Sequence, residues 1–152
     1  MMILKKIDNN EILKGWEQLW PGREQIFLSD MLFPSGFDAE ISKKYTPTHW
    51  GMYDNELLIG VNSGHKTSEI HYRGRGVWVH EDYRRQGVSQ LLWKAVADQG
   101  KKEGCEIFWA LPRLDRIGHC LKFGFEVVSE LQEFDYGLNA YVSYDLKSHI
   151  LT

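Results

Sequence analysis

A chain of 152 residues and 17.8 kDa is the size of one ordinary domain with a core of its own. Hydrophobic residues at 43% and charged residues at 26% exclude a disordered chain. A net charge of -3 with a pI near 6.1 excludes a nucleic-acid surface as the main business, because phosphate binding needs clustered positive charge.

The start, Met1-Met2-Ile3-Leu4-Lys5-Lys6, is too short and too charged for a signal segment. No apolar run approaches the ~20 residues of a membrane span. With two cysteines, Cys105 and Cys120, no disulfide framework is expected, and the chain reads as a cytoplasmic protein. No repeat, linker or low-complexity tract divides residues 1–152, so a single domain is expected.

Residues 2–7 read as a strand. Asp8, Asn9 and Asn10 are cap-type residues, and Ile12, Leu13, Trp16, Leu19 and Trp20 follow at helical spacing until Pro21-Gly22. Short helical pieces joined by loops are expected over residues 23–47. Strands follow at 50–54 and 57–62, with turns at Asn55-Glu56 and Ser63-Gly64-His65-Lys66, and a long strand at 69–79.

From Gly87, the stripe Val88, Leu91, Leu92, Ala95 and Val96 marks the clearest helix, with Lys101 and Lys102 near its end and Gly104 as its stop. Trp93 falls off that stripe and Trp78 alternates against Val77 and Val79, so either ring is a candidate pocket wall or homodimer contact. Residues 105–111 read as a buried parallel strand. Asp115 is the expected cap of a short helix to Phe123, stopped by Gly124. Strands at 125–133 and 138–146, turning at Asp135-Tyr136-Gly137, complete an α/β arrangement around one mixed sheet.

The chemistry concentrates in Val77-Trp78-Val79-His80-Glu81-Asp82-Tyr83-Arg84-Arg85-Gln86-Gly87-Val88-Ser89. A strand leads through a short polar loop into a helix, whose first N–H groups are unpaired and attract anions. Gly87 lets a ligand approach the backbone, and Arg84 and Arg85 add charge there. The segment lacks Gly-Lys-Ser/Thr and Gly-x-Gly-x-x-Gly, which excludes the nucleotide P-loop and the dinucleotide fingerprint. No Gly-x-Ser-x-Gly elbow occurs, and six histidines with no Cys-x-x-Cys show no ligand spacing, so no metal is expected.

This segment resembles the cofactor motif of the GNAT N-acetyltransferases, Arg/Gln-x-x-Gly-x-Gly/Ala after a strand, with Arg84, Gly87 and Ser89 on its defined positions. Gly124-Phe125 after a strand and short helix is a second match. The resemblance implies a single-domain, mostly antiparallel acyltransferase fold, in which the fourth strand splays from the fifth and the pantetheine arm of acetyl-CoA lies in the gap.

It implies cofactor contacts from Val77, Trp78 and Val79, with the Val79 amide polarising the thioester carbonyl. The amides from Arg85 through Gln86, Gly87, Val88 and Ser89 to Gln90 would hold the pyrophosphate. The implied reaction is direct acyl transfer to an amine of a small molecule or peptide. The competing reading is a coenzyme A-binding module that has lost turnover.

Two positions depart from the pattern. The usual glutamate base is Arg73, which cannot act as a base at ordinary pH. His71 is the nearest substitute, if alternation puts 71, 73, 75, 77 and 79 on one face. The usual tyrosine acid is Cys120, with His119 beside it, and Arg113 and Arg116 replace other usual contacts. An acceptor site is expected between residues 23–47 and the final hairpin. There Glu130, Glu133 and Asp135 would attract a cationic amine, and Phe33, Phe37, Trp50, Tyr136 and Tyr141 would supply aromatic walls.

Overall fold

The computed structural model describes residues 1–32, 45–134 and 137–151. Strand β1 (Met2–Ile7) leads into α1 (Asn9–Leu19), whose cap is Asp8: its carboxylate accepts from the Glu11 N–H at 2.9 Å. Helix α2 (Glu24–Leu32) follows. Then come β2 (Thr48–Asp54), β3 (Leu57–Lys66) and β4 (His71–Val79).

A 3-10 turn (Glu81–Tyr83) precedes α3 (Val88–Lys102) and β5 (Ile107–Ala110). A second 3-10 turn (Leu114–Arg116) precedes α4 (Ile117–Phe123). The chain ends with β6 (Glu126–Val127), β7 (Gln132–Phe134), β8 (Gly137–Asn139) and β9 (Val142–Asp145).

The seven-stranded sheet has the order β1-β2-β3-β4-β5-β9-β6, and β7 with β8 forms a separate ribbon. Among the described strands only β4 and β5 pair in parallel. The described residues form an α/β structure on one mostly antiparallel sheet. No described helix is long and apolar enough to cross a membrane.

One face of the sheet carries α1 and α2. Ile12, Trp16, Leu28 and Met31 pack there against Val61, with Trp78 alongside. The other face carries α3 and α4, with Trp93, Val96, Phe108, Cys120 and Phe125 in one cluster and Ile59, Val88 and Leu92 in another. Three sheet glycines let α3 lie on bare backbone. A Cβ at Gly60 would meet Leu92 at 2.9 Å, at Gly64 Tyr72 at 2.6 Å, and at Gly74 Trp93 at 2.7 Å.

Several expected boundaries move. Ser63, Gly64 and His65 form no turn: they are buried inside β3, opposite Arg75, Gly74 and Arg73, and the chain reverses just before β4 begins at His71. Polar residue types suggested a turn, but here they are polar groups in a buried strand. Trp93 is buried, whereas Leu91 is 47% exposed. Because α3 packs on β5 and α4 as well as the sheet, its buried face is wider than one stripe, and Trp93 is no surface contact. Asp115 sits inside a 3-10 turn, and α4 starts without a side-chain cap. The two last strands divide into four short ones.

The alternation along β4 also changes. Val61 pairs with Trp78 but Ser63 with Arg75, so β4 carries an extra residue opposite Asn62. Gly76, at φ 78°, makes this bulge, and its carbonyl accepts from Trp16 Nε1 at 2.9 Å. Upstream, Tyr72 and Gly74 face α3. Downstream, Val77 and Val79 do. His71, Arg73 and Arg75 therefore share a face with Trp78, not with the two valines.

Candidate active site at the fork of the sheet and the mouth of α3

The β4–β5 ladder has three rungs: His71 with Ile107, Tyr72 with Phe108, and Arg73 with Trp109. Beyond Arg73, β4 runs on to Val79 with β3 alone as partner, while β5 continues with β9. The two parallel strands thus fork. The His80 N–H donates to Ile59 O on β3 at 2.7 Å. Amides alternate sides along a strand, so the N–H of Val79 points away from β3, into the fork.

The loop after β4 is held by its own polar side chains. His80 Nδ1 accepts from the Asp82 N–H at 3.1 Å and starts the 3-10 turn. Tyr83 OH donates to Asp54 Oδ2 at 2.7 Å, tying the loop to β2. Arg84 Nε donates to Val79 O at 3.1 Å, and Gln86 Nε2 to Asp82 O at 3.3 Å. Arg85 is held at φ 64°, a conformation that costs a non-glycine residue about 1 kcal/mol or more. Arg84, Arg85 and Gln86 are exposed.

Gly87, at φ 79°, is the cap residue of α3 and supplies no side-chain cap bond. A Cβ built on it would meet nothing within 4 Å. Open space thus lies beside Gly87 at the mouth of α3, where a fifteen-residue helix presents its positive end. Val88 is buried and anchors this turn under the sheet through its side chain, leaving only its amide outward. Ser89 and Gln90 are half-buried, and Gln90 Nε2 donates to His119 O at 3.3 Å, linking the mouth to α4.

Candidate residues from the motif thus come together: Val77, Trp78 and Val79 on the arm of the fork, and Arg84 to Gln90 around the helix mouth. Trp78 differs in its face, packing toward α1. The two catalytic candidates have different surroundings. His71 is at the zipped end of the ladder, where Ser68 Oγ pairs with its Nδ1 at 2.6 Å and accepts its own N–H at 3.0 Å. Cys120 is 1% exposed, inside the aromatic cluster of Phe108 and Phe125, and burial pushes its thiol up to about 12.

On the opposite face of the fork lies Arg73, at the usual base position, together with groups that the motif did not mark. Arg73 and His65 are cross-strand partners, as are Arg75 and Ser63. The Arg73 guanidinium lies 4.7 Å over Trp109, and that of Arg75 lies 4.8 Å over Phe27. Tyr141 packs on Trp109, at 5.8 Å between ring centres. Period-two spacing of 73 and 75 was the available signal for these two arginines. Glu130 and Glu133 are exposed, and Trp50 is half-buried. Phe33, Phe37, Asp135 and Tyr136 lie outside the described residues. Two shallow concavities, one lined by Lys5, Glu11 and Tyr53 and the other by Lys14, Trp78 and His80, lie along the β1–β2–α1 edge and do not involve the α3 mouth.

Comparison with protein families matches the acetyltransferase (GNAT) family over residues 11–125. The chain belongs to this family. Among curated proteins there is no match. Solved structures share this GNAT fold at low identity. An aminoglycoside 6'-N-acetyltransferase complexed with coenzyme A superposes with a TM-score of 0.71 at 10% identity, over 95% of this chain and 97% of that one. Ard1 from Thermoplasma volcanium gives 0.72 at 16% identity, over 95% and 97%. An IAA acetyltransferase from Bacillus cereus gives 0.72 at 14% identity, over 95% and 99%.

Proposed function

We propose that this GNAT chain is an acetyl-CoA-dependent N-acyltransferase that passes an acyl group, acetyl in the first instance, directly to an amine of a small molecule or peptide. The observation that carries this reading is the open mouth of α3 at Gly87 beside the fork of β4 and β5. Bound there, acetyl-CoA would supply a thioester, and the amine nitrogen would bond the acyl carbon as the C–S bond breaks, with coenzyme A leaving as the thiol and taking up the proton that the amine loses.

The chain's own part is positional and electrostatic. The amides from Arg85 to Gln90 grip the diphosphate, helped by the helix dipole and by Arg85. Arg84 stays on Val79 O and shapes the loop rather than reaching the ligand. The Val79 N–H, aimed into the fork, donates to the thioester oxygen as charge develops on it. Val77 and Val79 press their side chains on the α3 side and so fix the strand that lines the gap.

Cys120 has no proton-transfer role in this reading. Its side chain is closed in the aromatic cluster of Phe108 and Phe125, and burial holds the proton on the thiol. Cys120→Ala is expected to leave turnover per folded molecule unchanged and to lower stability by roughly 1 kcal/mol. Initial rates and urea unfolding check this; a tenfold fall in kcat at constant KM would put the thiol back in the mechanism. His71 is likewise assigned to the turn with Ser68 and not to the amine.

Thiol release from acetyl-CoA with a panel of amines tests the function itself. Amine-dependent release above hydrolysis supports transfer. Arg73 at the usual base position favours a second reading, a coenzyme A-binding module without turnover. Tight coenzyme A binding in calorimetry with no release from any amine would establish that one. No binding at all would end both.

A further inference from the structure

The face of the fork that carries α1 and α2 holds two arginines side by side on one strand. Arg73 occupies the last rung of the β4–β5 ladder, and Arg75 the position ~7 Å further along, toward the bulge and Val79. Among the described residues neither forms an ion pair, and Arg73 Nε is buried without a hydrogen-bond partner. Asp30 is the carboxylate whose charge reaches Arg75.

Such an arrangement is costly by itself. Burial pushes Arg73 down to about 9 and lowers Arg75 as well, and the charge of Arg75 adds to the effect on Arg73. His65, across from Arg73, is held neutral by burial first and by both arginines after it. Its Nδ1 donates to Lys66 O at 3.0 Å, and its Nε2 is a second buried polar atom without a partner among the described residues. Buried cations are ordinarily paired, and an isolated pair of like charges repels.

The two guanidinium groups are also ordered. Trp109 supports one ring-on, with its own Nε1 fixed by donation to Thr67 Oγ1 at 3.0 Å, and Phe27 supports the other. A long charged side chain with no fixed task would reach for solvent. These two are braced on aromatic faces beside the edge of the fork, and a guanidinium fork matches the two oxygens of a carboxylate or phosphate.

We propose that Arg73 and Arg75 form the seat for an oxyanion, a carboxylate or a phosphate, carried by the acceptor amine. The term acceptor rests on the acyltransferase reading; the seat itself does not. The substrate class is then an acidic amine, such as an amino acid or an aminoalkyl phosphate, and not a purely cationic one. The seat holds the anionic end on the α1–α2 face, and the amine extends along β4 to the Val79 amide.

The first test involves no acyl transfer. Glutarate and inorganic phosphate are titrated into the protein, with chloride at equal ionic strength as control. Thermal unfolding is expected to rise by about 3 °C near tenfold saturation with at least one probe. The rise is expected to vanish in Arg73→Gln and Arg75→Gln, and to survive in part in Arg73→Lys, which keeps the charge and loses the fork. Removing one of two repelling cations unpairs nothing, and coenzyme A titration reports whether each variant keeps its fold. No rise over chloride in the parent protein, or an equal rise in the glutamine variants, overturns the proposal.

The second test compares matched acceptors: glycine with glycinamide, 4-aminobutyrate with 4-aminobutanamide, and O-phosphoethanolamine with ethanolamine. The acidic member of at least one pair is expected to show a kcat/KM at least tenfold higher, and the glutamine variants to erase that preference. Which pair responds separates carboxylate from phosphate. Equal use of both members of every pair overturns the seat while leaving acyl transfer standing. Arginine-dependent stabilisation by a probe, with no thiol release from any amine, keeps the seat and removes acyl transfer.

Discussion

Gly87→Trp is expected to weaken coenzyme A binding by at least two orders of magnitude, about 2.7 kcal/mol, while the protein stays folded. The reason is local. The position has φ 79° and open space around the missing Cβ, so an indole there occupies the volume in front of the first α3 amides. The fold is expected to survive because nothing lies within 4 Å of a Cβ at this position, so the side chain leaves the backbone into open space. The backbone conformation costs any L residue about 1–2 kcal/mol, and Gly87→Ala carries that cost without the bulk. Calorimetry on both variants separates the two effects: the alanine form should lose no more than about tenfold. Parental affinity in the tryptophan form would place the diphosphate somewhere else.

Stability is expected to fall steeply between pH 6.5 and 4, ahead of the usual acid transition. Two buried histidines cause this. His49 is pushed down to about 4 by burial, with Asp8 opposing, and its Nδ1 and Nε2 meet Ser63 Oγ at 2.5 Å and Asn9 Oδ1 at 2.8 Å. His65 is pushed down to about 4 by burial and then by Arg75 and Arg73.

A ring whose folded value is depressed stays neutral in the native state while the unfolded chain takes up a proton near 6.5. The stabilisation is complete above that value and is lost as pH falls toward 4. Each ring accounts for on the order of 3 kcal/mol at the acid end, a large share of the ~5–15 kcal/mol typical of a domain. Urea midpoints at pH 7.5, 6, 5 and 4.5 read this directly, and His65→Gln should flatten the curve. A midpoint constant from pH 7.5 to 5 would mean that both rings already carry protons in the native state.

The overall order of elements was legible in the sequence because each strong signal was local: Asp8 before Ile12, the stripe after Gly87, Gly124 after a short helix. The loop and helix mouth that carry the proposed cofactor contacts were legible for the same reason, since a helix mouth needs only a few consecutive residues. The proposed acceptor side was not. Its arginines meet His65, Trp109 and Phe27 across strands and helices, at separations that no periodicity reports. Ser63 and His65 read as turn residues because polarity was the cue, and their burial in β3 depends on α1 and α2 covering that face. The faces of β4 failed on one glycine: alternation holds only while pairing is regular, and Gly76 breaks it.

That one inserted residue divides the strand's labour. Arg73 and Arg75 face the α1–α2 side of the sheet and Val77 and Val79 the α3 side, so substitutions at the two arginines leave the packing of the two valines untouched. On the proposed reading, acceptor preference and donor binding would be separately adjustable within nine consecutive residues. Loss of the extra residue would join them again, turning the arginines or the valines to the wrong side together.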